Sequence, residues 1–335
     1  MRAHVVTKYG PPAKVLALRE VPEAALSPGE VRIDVSAAAL NPVDLKTCAG
    51  EPKMLLPFAP PFVLGVDLAG VVTEVGASVT SLRVGDPVFA YAGMDHMGAF
   101  AESVTLDAAR VARAPKGMAL DTAACLPLPG LCALQALDAG GVVAGSRVLV
   151  HGGVGGVGSL AVQLAAQRGA EVFATVAAGD FDRARGLGAA HPIDYRAQRF
   201  EDVAKGMDCV FDTVGGETLA RSWAAVRRGG VVASLHVPPS ADALAAAGLR
   251  APWFLRALLP LATRGPYAAA RRAGATLAPI LSVPDGAGLA RIAALAEHPG
   301  LSVTVDRVFA FDALAPAIDH VARGGARGRV VLRRG

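Results

Sequence analysis

The sequence is short of aromatic residues, at 5%, and of lysine, which supplies only six of its 33 basic side chains. Cysteine is scarce too: Cys48, Cys125, Cys132 and Cys209 are too few and too dispersed for a disulfide framework or a zinc knuckle, which fits a reducing compartment. The net charge is only +4, with no dense basic run to track phosphates, so a nucleic-acid partner is not expected. Long apolar runs are absent as well. Residues 122–134 are broken by Pro127 and Pro129, and residues 251–262 by Arg256 and Pro260. Both fall short of the roughly 18–20 unbroken residues of a membrane span, so membrane insertion is not expected. The opening residues MRAHVVTKYG hold no apolar core of a secretion signal. A cytoplasmic protein is expected.

What the chain has in quantity is small and apolar residues. It is 53% hydrophobic, with 38 glycines and 23 prolines among 335 residues, and its mean hydropathy is +0.41. That suits closely packed α/β layers, and at about 150 residues per domain the length suggests two domains. Residues 31–35 alternate apolar and polar, as a half-buried strand does, and residues 71–75 and 84–89 follow with Gly and Pro between them. This part reads as a compact β-barrel. From about residue 120 strands and helices alternate: strand 147–151, helix 156–168, strand 171–175, helix 181–187, a strand around Ile193, helix 200–204, strand 208–212, helix 217–228 and strand 230–235. Links this short imply a parallel sheet covered on both faces, to which residues 275–283 could add a sixth strand. Residues 238–273 suit either a helical pair, packed over the cofactor domain or roofing the active site, or a surface excursion with a small satellite core. Beyond 300, a strand at 301–309, a helix at 311–323 and a strand at 329–332 are expected to rejoin the first part.

The strongest chemical motif is Gly153, Val154, Gly155, Gly156, Val157 and Gly158, a G-x-G-x-x-G pattern. It follows a predicted strand and opens a predicted helix, the setting in which such glycines let backbone N–H groups and a helix N-terminus meet a pyrophosphate. The next strand ends without a carboxylate until Asp180. Absence of that charge favours NADP over NAD, although no Arg or Lys follows at once; Arg183 is within reach in sequence.

With these residues in view, the chain resembles the zinc-independent quinone oxidoreductase (zeta-crystallin-like) branch of the medium-chain dehydrogenase/reductase superfamily. The resemblance is carried by residues 41–46 (NPVDLK), 64–70 (LGVDLAG), 84–88 (VGDPV), 98–102 (GAFAE), 131–135 (LCALQ), the glycine loop, 211–216 (FDTVGG) and 328–332 (GRVVL). It implies a doubly wound Rossmann sheet inserted in a GroES-like β-barrel substrate domain: residues 1–120 and 286–335 for the substrate domain, 121–285 for the dinucleotide domain. An active site in the interdomain cleft and a homodimer are implied too. Zinc-dependent relatives of that superfamily look like Gly-His-Glu where this chain has Gly65, Val66 and Asp67, so no zinc is expected.

The function the resemblance implies is metal-free hydride transfer from NADPH to a small electrophile, a quinone or an α,β-unsaturated carbonyl. Asn41 would donate to a substrate oxygen or the nicotinamide ribose, Lys46 would stabilise developing negative charge, and Asp44 would fix their loop. Thr175 and Tyr195 would flank the adenosine. Asp212, Thr213, Val214 and Gly215, with Leu235, His236 and Val237, would lie at strand ends near the ribose and nicotinamide. Cys132 stands where relatives often carry a threonine near that ring. Two rival functions are an enoyl-thioester reductase and a dinucleotide-binding protein with a structural or sensing role.

Overall fold

The computed structural model describes residues 1–297, 301–323 and 327–335. Its six-stranded sheet is parallel throughout. Arg147–His151 is central, flanked on one side by Glu171–Val176 and then His191–Asp194, and on the other by Met207–Asp212, Val226–Ser234 and Thr276–Pro279. The chain therefore reverses its direction of travel between the strands on either side of Arg147–His151. In doubly wound sheets a ligand crevice opens at that switch, beyond the strands' carboxyl ends. His151, Gly152, Asp212 and Thr213 stand there.

A seven-stranded, mostly antiparallel sheet forms the second body. Glu30–Ala39 lies at its centre, beside Asp67–Val75 and Ser103–Asp107, with Pro87–Tyr91 and Val111–Arg113 beyond. Val31, Ile33 and Val35 are buried and the residues between them are not, as the alternation predicted. Gly70 is required here: a Cβ on it would lie 2.0 Å from the Asp34 carbonyl oxygen. Val305–Ala310 and Arg329–Arg333 complete this sheet, the latter pairing with Glu30–Ala39. The two chain ends thus share one sheet.

Several elements differ in extent from expectation. The strand expected at 84–89 is Pro87–Tyr91, because Gly85 adopts φ +89° and turns the chain first. The helix expected over 217–228 stops at Ser222, because Val226 pairs with Met207 and draws the chain into the sheet. Only Thr276–Pro279 forms the sixth strand, and the strand expected from 301 begins at Val305. Residues 238–273 hold a helical pair, Ala241–Ala246 and Trp253–Ala273. The pair also has a satellite core of its own, in which Leu244, Leu249 and Leu259 pack with Leu56. Arg250 donates its backbone N–H to the Leu55 carbonyl at 2.7 Å, tying the pair to the first part of the chain.

Candidate functional site

Strand Arg147–His151 ends in a sharp turn at Gly152, φ +65°, and helix Gly158–Gln167 begins six residues later. The glycines of the loop do different jobs. A Cβ on Gly153 would lie 2.6 Å from the Ala174 Cβ, and one on Gly158 would lie 2.1 Å from the Gly152 carbonyl oxygen. Those two permit the close packing of strand and helix. At Gly155 a Cβ would meet only the Gly152 oxygen, at 3.2 Å, and at Gly156 only Arg329, at 3.7 Å. Nothing inside the protein demands glycine at Gly156 and little does at Gly155, so the space kept clear is for something outside it. Helix Gly158–Gln167 has no side-chain cap; its Ser159 N–H is taken by the Gly155 carbonyl at 2.9 Å, so the loop itself forms the start of the helix that borders that space.

Two confluent cavities, of about 540 and 730 Å³, border the loop and share Val154, Gly155, Ala177, Asp180, Arg196 and Arg327. Arg183 and Arg329 line the first, Arg221 and Tyr195 the second. Arg221 is paired with Glu201 at 2.6 Å. Arg183, Arg196 and Arg327 have no carboxylate within ion-pair reach of their side chains among the described residues. Arg196 instead lies over the Tyr195 ring, 5.5 Å from its centroid. The walls are thus strongly cationic, with Asp180 the one carboxylate lining the first cavity. An uncapped helix start, clear glycines and guanidinium walls fit a dinucleotide with its pyrophosphate.

Other predicted contacts have local partners. Thr175 is buried; its Oγ1 accepts from the Gly152 N–H at 3.1 Å and lies 3.2 Å from His151 Nδ1. It shapes the glycine turn as well as lining the cavity. Burial lowers the His151 pKa to about 4, so that ring is neutral at pH 7. Asp212 is fully buried, accepting from the Val214 and Gly215 N–H groups at 3.1 and 2.8 Å and from the Ser234 hydroxyl at 2.7 Å. It anchors the strand-end loop from which exposed Val214 projects into the larger cavity. Thr213 Oγ1 donates to the His151 carbonyl, and His236 Nε2 lies 3.0 Å from the Thr213 carbonyl. Leu235, His236, Val237 and Cys132 line neither cavity. Cys132 lies 2.8 Å from Ser282 Oγ, and burial pushes its pKa up to about 11.

Next to the glycine loop lies a buried polar cluster drawn from three distant segments. Asn41 caps helix Pro42–Ala49, and its backbone N–H donates to Asp44 Oδ2 at 2.8 Å. The Asn41 amide donates to the Ala39 carbonyl and, at 2.9 Å, to Asp67 Oδ2. Its Oδ1 accepts from Arg329 at 2.8 Å, and Arg329 also reaches Asp67 Oδ2 at 3.2 Å. Asp67 Oδ1 accepts the Leu128 N–H, so the cluster pins the start of helix Pro127–Ala139 too. Burial raises the Asp67 pKa to about 6, against the opposing pull of Arg329. Asp44, buried and near Asp67, is raised to about 8 and holds its proton at pH 7. Lys46, on the same short helix, is exposed.

Zinc does not fit this cluster. Val66 supplies no ligand, Asp67 already faces a guanidinium, and no three His, Cys, Asp or Glu side chains converge among the described residues. Arg329, Asp67, Arg196 and Arg327 were not singled out as site residues from sequence. Arg329 and Asp67 did lie in quoted motifs, but only the pairing of Arg329–Arg333 and of Asp67–Val75 with Glu30–Ala39 brings them to Asn41.

Comparison with known proteins gives matching results for both bodies. A model for the alcohol dehydrogenase GroES-like domain matches residues 27–116, and one for zinc-binding dehydrogenase matches residues 187–332. The chain is 38% identical over 250 residues to the 2-methylene-furan-3-one reductase of Solanum lycopersicum, covering 70% of this chain and 62% of that protein. It is 38% identical over 241 residues to the spectinabilin polyketide synthase system protein NorB of Streptomyces orinoci, of which the match spans only 11%. Identity to the 2-haloacrylate reductase of a Burkholderia species is 34%, over 72% of this chain and 74% of that one. Among solved structures, the quinone oxidoreductase of Coxiella burnetii superposes with a TM-score of 0.81 at 29% identity, covering 99% of both chains.

Proposed function

This chain belongs to the medium-chain dehydrogenase/reductase superfamily, and from that premise we propose that it is a metal-independent, NADPH-preferring reductase of quinones or α,β-unsaturated carbonyl compounds. The observation that carries the proposal is the cationic cavity around Gly155, kept clear of side chains on the glycine side and lined by Arg183, Arg196, Arg327 and Arg329. The relatives named as reductases of a furanone and a haloacrylate, both conjugated systems, support the substrate class.

In this reading the uncapped start of helix Gly158–Gln167 and Arg329 hold the pyrophosphate. The Arg329 Nη1, near Gly156, is the atom available for it. Arg183 and Arg196, beside the carboxyl end of strand Glu171–Val176, receive the 2′-phosphate; the absence of a carboxylate at Val176 and Ala177 favours that charge. Tyr195 and Val214 border the adenosine. The bound nicotinamide supplies a hydride to an electron-poor carbon. Asn41 and Asp67, locked by Arg329, set the position of helix Pro42–Ala49, whose Lys46 stabilises negative charge building on the substrate oxygen. Asp44, buried and protonated, positions Asn41 and takes no part in proton transfer.

The test is oxidation of NADPH and NADH by metal-stripped protein with quinones, enones, alkenals and simple aldehydes. Turnover of quinones or enones with NADPH, undiminished by chelator, is the expected result. Activity on aldehydes alone, restored by zinc, overturns it. The match to a polyketide synthase segment gives enoyl thioesters a place in the same panel. A clear preference for them moves the assignment to that class.

A further inference from the structure

Residues 243–284 contain five arginines, Arg250, Arg256, Arg264, Arg271 and Arg272, and not one acidic residue. Helix Trp253–Ala273 spans most of that stretch. Its inner face is marked by buried Leu259, Thr263 and Ala270. At 100° per residue, Trp253, Phe254, Leu258 and Leu261 fall on the opposite face. They are bare: Trp253 is 81% exposed, Leu261 65% and Leu258 53%. A helix that buries one apolar side and presents another to water carries a surface that wants a partner.

We infer that this outer face docks on an anionic lipid surface. Charge decides the occupant. None of the five arginines has a carboxylate within ion-pair reach among the described residues. Arg272 falls on the same side of the helix as the exposed apolar residues, and Arg264 and Arg271 stand at the edge of that face, where they also line a groove with Arg256 and Leu259, so aromatic and leucine side chains are bordered by unneutralised guanidinium groups. A second copy meeting it across a two-fold axis would set these arginines against themselves with no acid on the segment to pair with them. An anionic headgroup layer over an apolar interior complements both features at once. No helix among the described residues is long and apolar enough to cross a membrane, so the helix lies on the surface, as Pro260 and Pro266 within it also suit. Its inner side packs, through Leu259, against Leu56 of the first part of the chain. Docking therefore brings the junction of the two bodies to the lipid. Delivery of an apolar acceptor dissolved there rests on the reductase reading; the docking itself does not.

The experiment uses the full chain carrying Trp223→Phe, which leaves Trp253 as its one tryptophan, with phosphatidylcholine vesicles containing or lacking phosphatidylglycerol. A blue shift of Trp253 emission and at least tenfold stronger co-sedimentation with the anionic vesicles, weakened by salt, are expected. Leu258→Ser with Leu261→Ser, which keeps the Trp253 reporter, abolishes both, and each of Arg264→Gln, Arg271→Gln and Arg272→Gln weakens partition about fivefold. Equal or absent partition on the two vesicle types overturns the inference. So does a self-association in sedimentation equilibrium that shields Trp253 and is lost in Trp253→Ser. Turnover of a water-soluble acceptor is read alongside. Docking without turnover refutes the reductase reading alone, and turnover without docking refutes this inference alone.

Discussion

Around Gly155 the protein keeps space clear; around Asp67, joined to it through Arg329, every hydrogen-bonding direction but a few is filled. At the glycine loop the helix start is uncapped and three lining arginines lack carboxylate partners. In the neighbouring cluster Asn41 makes contacts with Ala39, Asp44, Asp67 and Arg329, all out of water. The first region is built for a ligand that brings its own charge. The second is built to hold the chain, and its charges answer one another. Arg329 belongs to both, with its Nη2 in the cluster and its Nη1 beside Gly156.

The largest effect should come from removing that link. Arg329→Met leaves the Asp67 carboxylate buried without its cation, and loss of one partner of a buried pair costs about 3–5 kcal/mol. Urea denaturation should show that loss; an unchanged midpoint would mean the cluster does not hold the two bodies together. Gly155→Val should weaken NADPH binding at least a hundredfold, about 3 kcal/mol, because its side chain enters the space reserved for phosphate. Its thermal midpoint should move little, whereas Gly158→Val, driven against the Gly152 carbonyl, should unfold the domain. Equal stability of the two variants would erase the distinction between packing glycines and ligand glycines.

A smaller effect is expected at the cavity's other end. Arg196→Gln combined with Arg183→Gln should raise the KM for NADPH by about tenfold to a hundredfold, the worth of one or two charge-assisted hydrogen bonds at 1.5–3 kcal/mol. The KM for NADH should hold. Loss for both cofactors alike would assign these arginines to general attraction and not to the 2′-phosphate. The mildest change concerns Asp44. Folded, it keeps its proton up to about pH 8; unfolded, it releases it near pH 4. The folded state therefore binds more protons in that window, and stability falls as pH rises through it. Asp44→Asn keeps the acceptor for the Asn41 N–H and should flatten the decline between pH 6 and 8, with the part due to Asp67 remaining below about 6.

The contrast also separates what was legible in the sequence from what was not. The alternation of strands and helices from residue 147 to 234, and the glycine loop within it, could be read because each depends on residues close in the chain. Boundaries were read less well: Ala224, Ala225 and Val226 look helical until Met207 offers a strand to pair with. For the segment 238–273 a helical pair was one of two readings, and nothing local told which side of it would stay bare. That depends on Leu56 and Leu277 arriving from elsewhere to cover the other side.

By itself the sequence determined the two fold classes, the order of the parallel units and the place of the phosphate loop, because backbone geometry at Gly153, Gly155 and Gly158 is a local matter. It named Asn41, Asp44 and Lys46 as a group because three residues of one short helix and its cap travel together. Only the tertiary structure decided that Asn41 is locked by Asp67 and Arg329, 26 and 288 positions away, and that Arg183, Arg196 and Arg327 converge on one cavity. Electrostatic partners act through space over a few ångströms, and no local pattern records which distant segments a sheet will bring that close.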